Sequence, residues 1–281
     1  MSPRDQRAAI ARETLQIVEA GRYADASGQA VGIAAAVRDC VSSTRLVRPE
    51  DAVAAGGERV EATVFGVRNE NTLSAIARLV QAGHRRVGVL NFASARRPGG
   101  GFQSGAEAQE EALARSSALH ASLTSPGGSG FYLHDAPLDG LYTDRIVVSP
   151  SCPVFRDANG QLLRAAVPAT FLTCAAPNAT ALRANAPTLM AELAGTFHRR
   201  IARVLDIAAS VGCDALVLGA WGCGVFGNDP AMVAEAFAKH LVGIGKHARS
   251  FRQVDFAVLD SSPGLERLRA FESVFGSTSK A

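Results

Sequence analysis

Lysine is scarce in this chain of 281 residues: Lys239, Lys246 and Lys280 are the only three, so 26 of the 29 basic residues are arginine. The 26 acidic residues leave a formal net charge of only +3. This balance excludes a highly charged disordered chain and argues against sequence-specific nucleic-acid binding. Codon usage is the simplest explanation of the arginine bias. Anion recognition is the alternative, because arginine holds phosphate through two hydrogen bonds.

Other signals are missing as well. No apolar run reaches the roughly 18 residues of a membrane helix, and the charged N-terminus lacks the apolar core of a signal peptide. The five cysteines are odd in number and form no C-x-x-C pair, and the six histidines show no metal-ligand spacing. We therefore expect a cytoplasmic protein with no membrane partner, no metal and no cofactor.

Short apolar runs alternate with helical patterns along the whole chain. This alternation predicts an α/β fold with helices packed on a mainly parallel sheet. We expect a single domain over residues 1–281, in which about the first 60 residues are an N-terminal helical extension packed on it. Predicted strands lie at 28–33, 60–67, 86–93, 145–150, 169–176, 214–221 and 253–260. Predicted helices lie at 3–22, 71–83, 109–123, 186–210, 229–247 and 263–274, with surface loops at 125–130 and 156–161.

The first loop with candidate functional residues follows the predicted buried strand at 86–93 and contains Gly99, Gly100 and Gly101. Consecutive glycines leave the backbone open to close approach by a ligand, often with amide N–H groups pointing at oxygen atoms. A flexible turn is the simpler interpretation of three glycines alone. The preceding strand and the following helix favour a binding loop.

That helix begins with Gln109, Glu110 and Glu111. Acids at a helix start are commonly solvated residues that interact with the helix dipole, which opposes a general-acid role. A catalytic glutamic acid here would need an apolar cover or a nearby negative ligand to raise its pKa. Adjacent helical residues point about 100° apart, so only one of the two acids can aim at a given reacting atom.

The second loop, GAWGCGVFGNDP, follows the strand at 214–221 and fits G-x-G-x-x-G through Gly222, Gly224 and Gly227. Such turns hold phosphates through free N–H groups at a helix N-terminus. A dinucleotide-binding redox fold is rejected, because the acid expected about 20 residues later is replaced by His247 in a predicted helix. Within the loop, Cys223 is either a packing residue or a reactive thiol. Phe226 and the flanking Trp221 are either core residues or contacts to a sugar or base.

The motif GGG, seven residues, then QEE resembles the signature of the poly(ADP-ribose) glycohydrolase family, and the second loop is similar to that family's diphosphate-binding loop. The resemblance is to the compact bacterial type and covers roughly residues 10–275. It implies a three-layer α/β/α macrodomain-like sandwich around a mixed sheet. It also implies hydrolysis of the ribose–ribose O-glycosidic bonds of poly(ADP-ribose), releasing ADP-ribose from chain ends.

By the same resemblance, Glu111 would be the catalytic general acid and base, and Glu110 would hold ribose hydroxyls. The implied substrate-binding residues are Asn91, Ser94, Gly99, Gly100, Gly101, Gln109, Gly222, Cys223, Gly224, Val225, Phe226 and Gly227. The run from Asn91 to Ser94 departs from the Asn-Ala-Ala-Asn that often ends this strand in macrodomains. Arg96 and Arg97 are candidates for a local anion-binding patch, with solvated loop charges as the alternative.

Three functions fit these observations. The first is a poly(ADP-ribose) glycohydrolase, whose partners would be poly(ADP-ribose) or ADP-ribose, with ADP-ribosylated proteins as carriers. The second is an ADP-ribose-binding macrodomain that does not cleave the polymer, which would not need two adjacent acids. The third is a hydrolase of another ADP-ribosyl linkage.

Overall fold

The computed structural model describes residues 1–54, 56–57, 59–132 and 139–276, and its centre is a seven-stranded mixed sheet with helices on both faces. The strands are β1 (Arg22–Ala24), β2 (Ala30–Gly32), β3 (Arg45–Val47), β4 (Val64–Arg68), β5 (Val87–Phe92), β6 (Ile146–Arg156), β7 (Leu162–Cys174), β8 (Ala215–Leu218) and β9 (Gln253–Ala257). The helices are α1 (Pro3–Ala20), α2 (Ala34–Ser43), α3 (Thr72–Gln81), α4 (Gln109–Ser116), α5 (Leu119–Thr124), α6 (Ala179–Asn185), α7 (Leu193–Ser210), α8 (Pro230–Leu241) and α9 (Glu266–Phe275).

The strand order of the large sheet is β3-β6-β7-β5-β8-β9-β4, and β1 and β2 form a separate antiparallel pair. Strands β7, β5, β8, β9 and β4 run parallel to one another. Strand β6 is antiparallel to β7, and β3 is antiparallel to β6. The expected mixed sheet with a mainly parallel centre is therefore confirmed.

Strand β8 shows why the strands read as continuous apolar runs. Leu216 and Leu218 join the apolar cluster formed with α7, α8 and α9, whereas Ala215 and Val217 join the cluster on the opposite face, which includes α3. All four residues are buried. Helices therefore cover both faces of the sheet, which is a three-layer α/β/α arrangement. Because both faces are buried, the strand lacks the polar–apolar alternation of a half-exposed strand.

The sequence predicts one helix over 109–123, and this prediction is wrong. The helix is interrupted at Ser117, which pairs with Val154 of β6 as an isolated bridge. The backbone N–H of Ala118 donates to the carbonyl of Pro153 at 3.1 Å. The side-chain hydroxyl of Ser117 accepts from the N–H of Leu119, the first residue of α5. A contact 37 residues away along the chain breaks the helix, and local periodicity contains no sign of it.

Other boundaries also differ from the sequence predictions. The predicted helix 229–247 ends at Leu241 as α8, and Gly243, with φ +62°, and buried His247 lie in the turn that follows. The predicted helix 186–210 begins with a 3₁₀ segment, Pro187–Glu192, before α7. The loop 125–130 is not wholly on the surface, because Gly128 is buried against Leu123. The short elements β1, β3, α2 and α6 were not predicted.

A buried arginine joins two loops at the sheet edge. Arg200 of α7 is about 1% exposed. Its Nε donates to Asp144 at 2.7 Å, and its Nη1 and Nη2 donate to the carbonyls of Ala175 and Leu141 at 2.9 and 2.5 Å. A buried guanidinium with all these partners fixes the two loops relative to α7.

We expect Arg200→Met to lower the free energy of unfolding by about 3–5 kcal/mol, because it leaves buried acceptors without a donor. Arg199→Met is the matched control, since Arg199 pairs with the same Asp144 but its side chain is 59% exposed. The control should cost only about 0–1 kcal/mol. Urea unfolding of both variants tests this. Equal losses would contradict a specific role for the buried arginine.

Candidate active site

The carboxyl ends of the parallel strands meet at one edge of the sheet, where ligands bind in open α/β folds. A cavity of about 570 Å³ opens at this edge, within the range of small-molecule sites. Its wall combines both glycine-loop regions with the loops that follow β4 and β9. The lining residues are Glu70, Asn71, Thr72, Leu73, Phe92, Glu107, Ala108, Gln109, Ala112, Leu113, Arg115, Ala158, Ala176, Ala220, Trp221, Gly222, Gly224, Val225, Phe226, Ala257, Val258, Leu259 and Arg267.

Gln109 attaches the start of α4 to the end of β5. Its Oε1 accepts from the backbone N–H of Phe92 at 2.9 Å, and its Nε2 donates to the carbonyl of Leu90 at 2.8 Å. The same Nε2 donates to the hydroxyl of Thr72 at 3.3 Å. The side-chain amide of Gln109 thus pairs with backbone groups of β5 as a neighbouring strand would. This attachment fixes the positions of Glu110 and Glu111.

Glu110 points into the protein and is about 3% exposed. Its Oε2 accepts from the backbone N–H of Ser94 at 2.6 Å, and its Oε1 lies 3.4 Å from the amide nitrogen of Asn91. Burial raises the pKa of Glu110 to about 8, and the charge of Glu111 adds to this effect, while hydrogen bonds from Ser94, Asn91 and Gly99 oppose it. Glu110 is therefore mainly protonated at neutral pH.

Glu111 is half-buried and takes a different direction. Its Oε1 accepts from the backbone N–H of Gly101 at 2.9 Å. Gly100 has φ +60°, and a Cβ added there would overlap with this carboxylate. Gly99 also lies in the left-handed region, with φ +70°. The glycines therefore allow the backbone to pass directly against the carboxylate of Glu111.

Two buried polar groups near Glu110 lack partners. Among the described residues, Oδ1 of Asn91 and the hydroxyl of Tyr132 accept or donate no hydrogen bond. Burial, followed by the charge of Glu110, raises the pKa of Tyr132 far above its ordinary value. Sequence reasoning missed Tyr132, which lies in neither motif. Asn91 therefore faces Glu110 with its amide nitrogen, and its oxygen has no partner among the described residues.

The second glycine loop is held by the segment that follows β7. Nδ2 of Asn228 donates to the carbonyls of Pro177 and Gly222 at 2.8 and 2.9 Å. The backbone N–H of Thr180 donates to the carbonyl of Phe226 at 3.1 Å. Gly222 has φ +74°. The segment CAAPN, residues 174–178, together with the start of α6, thus supports this loop.

The structure sorts the residues singled out in the sequence. Gln109, Gly222, Gly224, Val225 and Phe226 line the cavity. Asn91, Ser94, Gly99 and Gly101 contact the two carboxylates instead, and Gly100 lies against them. The backbone N–H of Gly227 donates to the carbonyl of Gly224 at 2.9 Å, a hydrogen bond within the second glycine loop. Sequence reasoning missed Glu70, Asn71, Leu259 and Arg267 at the far end; the polar run after β4 is the signal that could have identified the first two.

Trp221 is a core residue, with no exposed surface and an indole N–H that donates to the carbonyl of Cys174 at 3.3 Å. Burial, helped by Asp229, raises the pKa of Cys223 to about 12, so this cysteine is a packing residue and not a reactive thiolate. Arg96 and Arg97 are exposed.

In the part of the chain that the structure describes, no group of three or more His, Cys, Asp or Glu side chains could hold a metal ion. His134 lies outside the described residues. None of the described helices is long and apolar enough to cross a membrane.

Comparison with known proteins gives consistent matches. The family model "Microbial-type PARG, catalytic domain" matches residues 11–157. The chain is 47% identical to a crystal structure of poly(ADP-ribose) glycohydrolase from Thermomonospora curvata, covering 97% of this chain and 100% of that one, with a TM-score of 0.89. A structure of that enzyme bound to the inhibitor ADP-HPD matches at 47% identity, with coverage of 96% and 99% and a TM-score of 0.88.

A structure of the Deinococcus radiodurans enzyme in complex with ADP-ribose is 42% identical and covers 86% of this chain and 98% of that one, with a TM-score of 0.77. A comparison with curated proteins returned no match. The mixed sheet between two helical layers, with glycine loops at one edge, defines a macrodomain-like protein. More specifically, the chain belongs to the microbial poly(ADP-ribose) glycohydrolase family.

The raised pKa of Glu110 predicts a specific pH dependence of stability. In the unfolded chain this carboxyl ionises near 4.5, whereas in the folded protein it ionises near 8. Between these values the folded state holds one more proton, so this group's contribution to stability falls as pH rises from about 5 to about 8. Glu110→Gln should therefore gain stability relative to wild type over this range, by on the order of a few kcal/mol.

Urea unfolding at several pH values checks the prediction. Glu272→Gln, at an exposed position of α9, is the control and should track the wild type at every pH. A constant difference between Glu110→Gln and wild type across the range would show that Glu110 ionises at its ordinary pKa.

Proposed function

We propose that this protein hydrolyses the ribose–ribose O-glycosidic bonds of poly(ADP-ribose) and releases ADP-ribose from chain ends. The observation that carries the proposal is the carboxylate of Glu111. It is held by the N–H of Gly101 beside the buried Glu110, and α4 joins this pair to a cavity of about 570 Å³. Membership in the glycohydrolase family supports the same activity.

In this proposal the cavity takes one terminal ADP-ribose. The backbone N–H groups of Gly224, Val225 and Phe226 in the second loop face the diphosphate, as those of glycine turns before helices do. Val225 and Phe226 orient the distal ribose. The far end of the cavity, which includes Asn71 and Leu259, takes the adenine without an aromatic side chain at the tip of β9.

The reaction needs a proton at the leaving oxygen and a water at the anomeric carbon. Glu111 in its protonated form donates to the leaving 2′ oxygen as the glycosidic bond breaks, and the bonding electrons remain on that oxygen. The resulting carboxylate takes a proton from water as the water attacks the oxocarbenium-like carbon. An anionic diphosphate nearby favours the protonated carboxyl before cleavage.

Glu110 has a different part in this scheme. Because it is buried and neutral, it is a hydrogen-bond donor as well as an acceptor and can hold ribose hydroxyls. Its neutral state also leaves Glu111 without a charged carboxylate beside it. We further propose that residues 1–281 act as one catalytic domain in the cytoplasm, on polymer carried by ADP-ribosylated proteins.

Glu111→Gln tests the catalytic assignment. We expect release of ADP-ribose from poly(ADP-ribose) to fall by about 10²- to 10⁴-fold, because glutamine has no proton of suitable acidity to transfer. Binding of ADP-ribose, measured by calorimetry, should be retained. Glu235→Gln, on an exposed position of α8, is the control and should cleave at the wild-type rate.

The same assay separates the alternatives. Near wild-type cleavage by Glu111→Gln would remove Glu111 from the mechanism. Binding of ADP-ribose by the wild type without release from the polymer would indicate a binding module. Activity only on mono-ADP-ribosylated substrates would indicate another linkage.

Gly100→Ala tests the close approach of the glycine loop. We expect it to lower kcat by at least tenfold, since a methyl group there overlaps with the carboxylate of Glu111 and the position has φ +60°. Gly195→Ala is the control, because a Cβ at this helical position would meet no described atom within 4 Å. Wild-type kcat in Gly100→Ala would show that the carboxylate does not need this position.

A further inference from the structure

Residues 102–108, the segment between GGG and QEE in the first motif, have no regular structure beyond one 3₁₀ turn. Three of its consecutive carbonyls each accept from an arginine. Arg4 donates through Nε to Ser104 at 2.9 Å, and Arg7 donates through Nε to Gly105 at 2.9 Å. Arg115 donates through Nη1 to the third carbonyl, that of Ala106, at 2.6 Å. We call Arg4, Arg7 and Arg115 the arginine clamp.

Two members of the arginine clamp come from α1, outside the central sandwich. Arg4 and Arg7 are three residues apart, so they lie on the same face of the helix. Arg7 also pairs with Glu107 through Nη1 at 2.7 Å, two residues before the start of α4. The guanidinium of Arg7 therefore holds the segment through the backbone carbonyl of Gly105 and the side chain of Glu107.

Helix α1 is itself firmly placed on the motif. Ala11 is buried in one apolar cluster with Phe102, which follows the three glycines, and Ala114 of α4. The hydroxyl of Thr14 donates to the carbonyl of Arg115 at 2.5 Å. The helix thus contacts the polypeptide on both sides of Glu111 along its length.

Helix α1 packs closely against residues 102–108. Gly105 has φ +75°, and a Cβ added there would overlap with the carbonyl of Arg4. Only four residues separate Gly101, whose N–H holds the carboxylate of Glu111, from the carbonyl held by Arg115. A shift of this segment would therefore move the N–H that holds the carboxylate.

We propose that Arg4 and Arg7 are positioning residues for catalysis, which act by fixing residues 101–107 and hence the carboxylate of Glu111. The inference rests on the proposed function and assigns a task to the N-terminal helix. A surface ion pair alone contributes little to stability. The effect of the arginine clamp is therefore on geometry, and a misplacement of about 1 Å can cost a large factor in rate.

The experiment compares the wild type with the double variant Arg4→Ala/Arg7→Ala on poly(ADP-ribose). We expect kcat to fall about tenfold or more. KM and the Kd for ADP-ribose should stay within about twofold, because the second glycine loop, which holds the diphosphate in the proposed function, makes no contact with Arg4 or Arg7 in the hydrogen bonds described above. Arg7→Lys should give an intermediate kcat, since lysine can pair with Glu107 but has no second nitrogen to donate to the carbonyl of Gly105 as Nε of arginine does. Arg12→Ala, at an exposed position of α1, is the control.

Folding and function are separated in the same experiment. Circular dichroism at the assay temperature gives the folded fraction, and kcat is expressed per folded molecule. A double variant with kcat within twofold of wild type would overturn the proposal, as would a loss that is explained fully by unfolding. If the double variant does not fold, the single variants Arg4→Ala and Arg7→Lys decide by the same criterion.

A failure of the proposed function gives a different result. In that case the wild type itself releases no ADP-ribose from the polymer. Hydrogen exchange at residues 101–111 then still tests the arginine clamp, which predicts faster exchange in the double variant than in wild type and Arg12→Ala. Unchanged exchange would overturn it.

Discussion

The site depends on one constraint: two adjacent carboxyl groups at the start of α4 must point in different directions. Side chains of neighbouring helical residues diverge by about 100°. Gln109 fixes the helix to the end of β5, so Glu110 enters the protein and Glu111 reaches the N–H of Gly101. Position 100 requires glycine for two reasons: any side chain there would occupy the position of the carboxylate, and its φ of +60° lies in the left-handed region.

Rigid support surrounds this pair from parts of the chain that are far apart in sequence. The buried Arg200 connects the loops after β7 and before β6. Asn228 joins the second glycine loop to the CAAPN segment. Buried guanidinium and amide donors that are paired with backbone carbonyls are costly to rearrange. The loops at the sheet edge are therefore part of a fixed frame, as a site that acts by placing a proton donor requires.

Part of this architecture was predictable from local signals. Asn71 caps α3 as its position before an amphipathic run indicates, and β5 lies within the predicted apolar stretch. The break at Ser117 was not predictable, because it depends on pairing with Val154. Strand β3 and helix α2 were also missed, since they are short and obtain their stability from packing on β6.

By itself, the sequence determined the α/β class, the two glycine loops and the candidate pair of acids, because periodicity and motif spacing are local properties. The tertiary structure alone decided which acid is buried. The dipole at the start of α4 favours ionised carboxylates, yet the surroundings that bury Glu110 raise its pKa to about 8. Those surroundings, and the N-terminal arginines on the segment before α4, come from distant parts of the chain that only folding brings together.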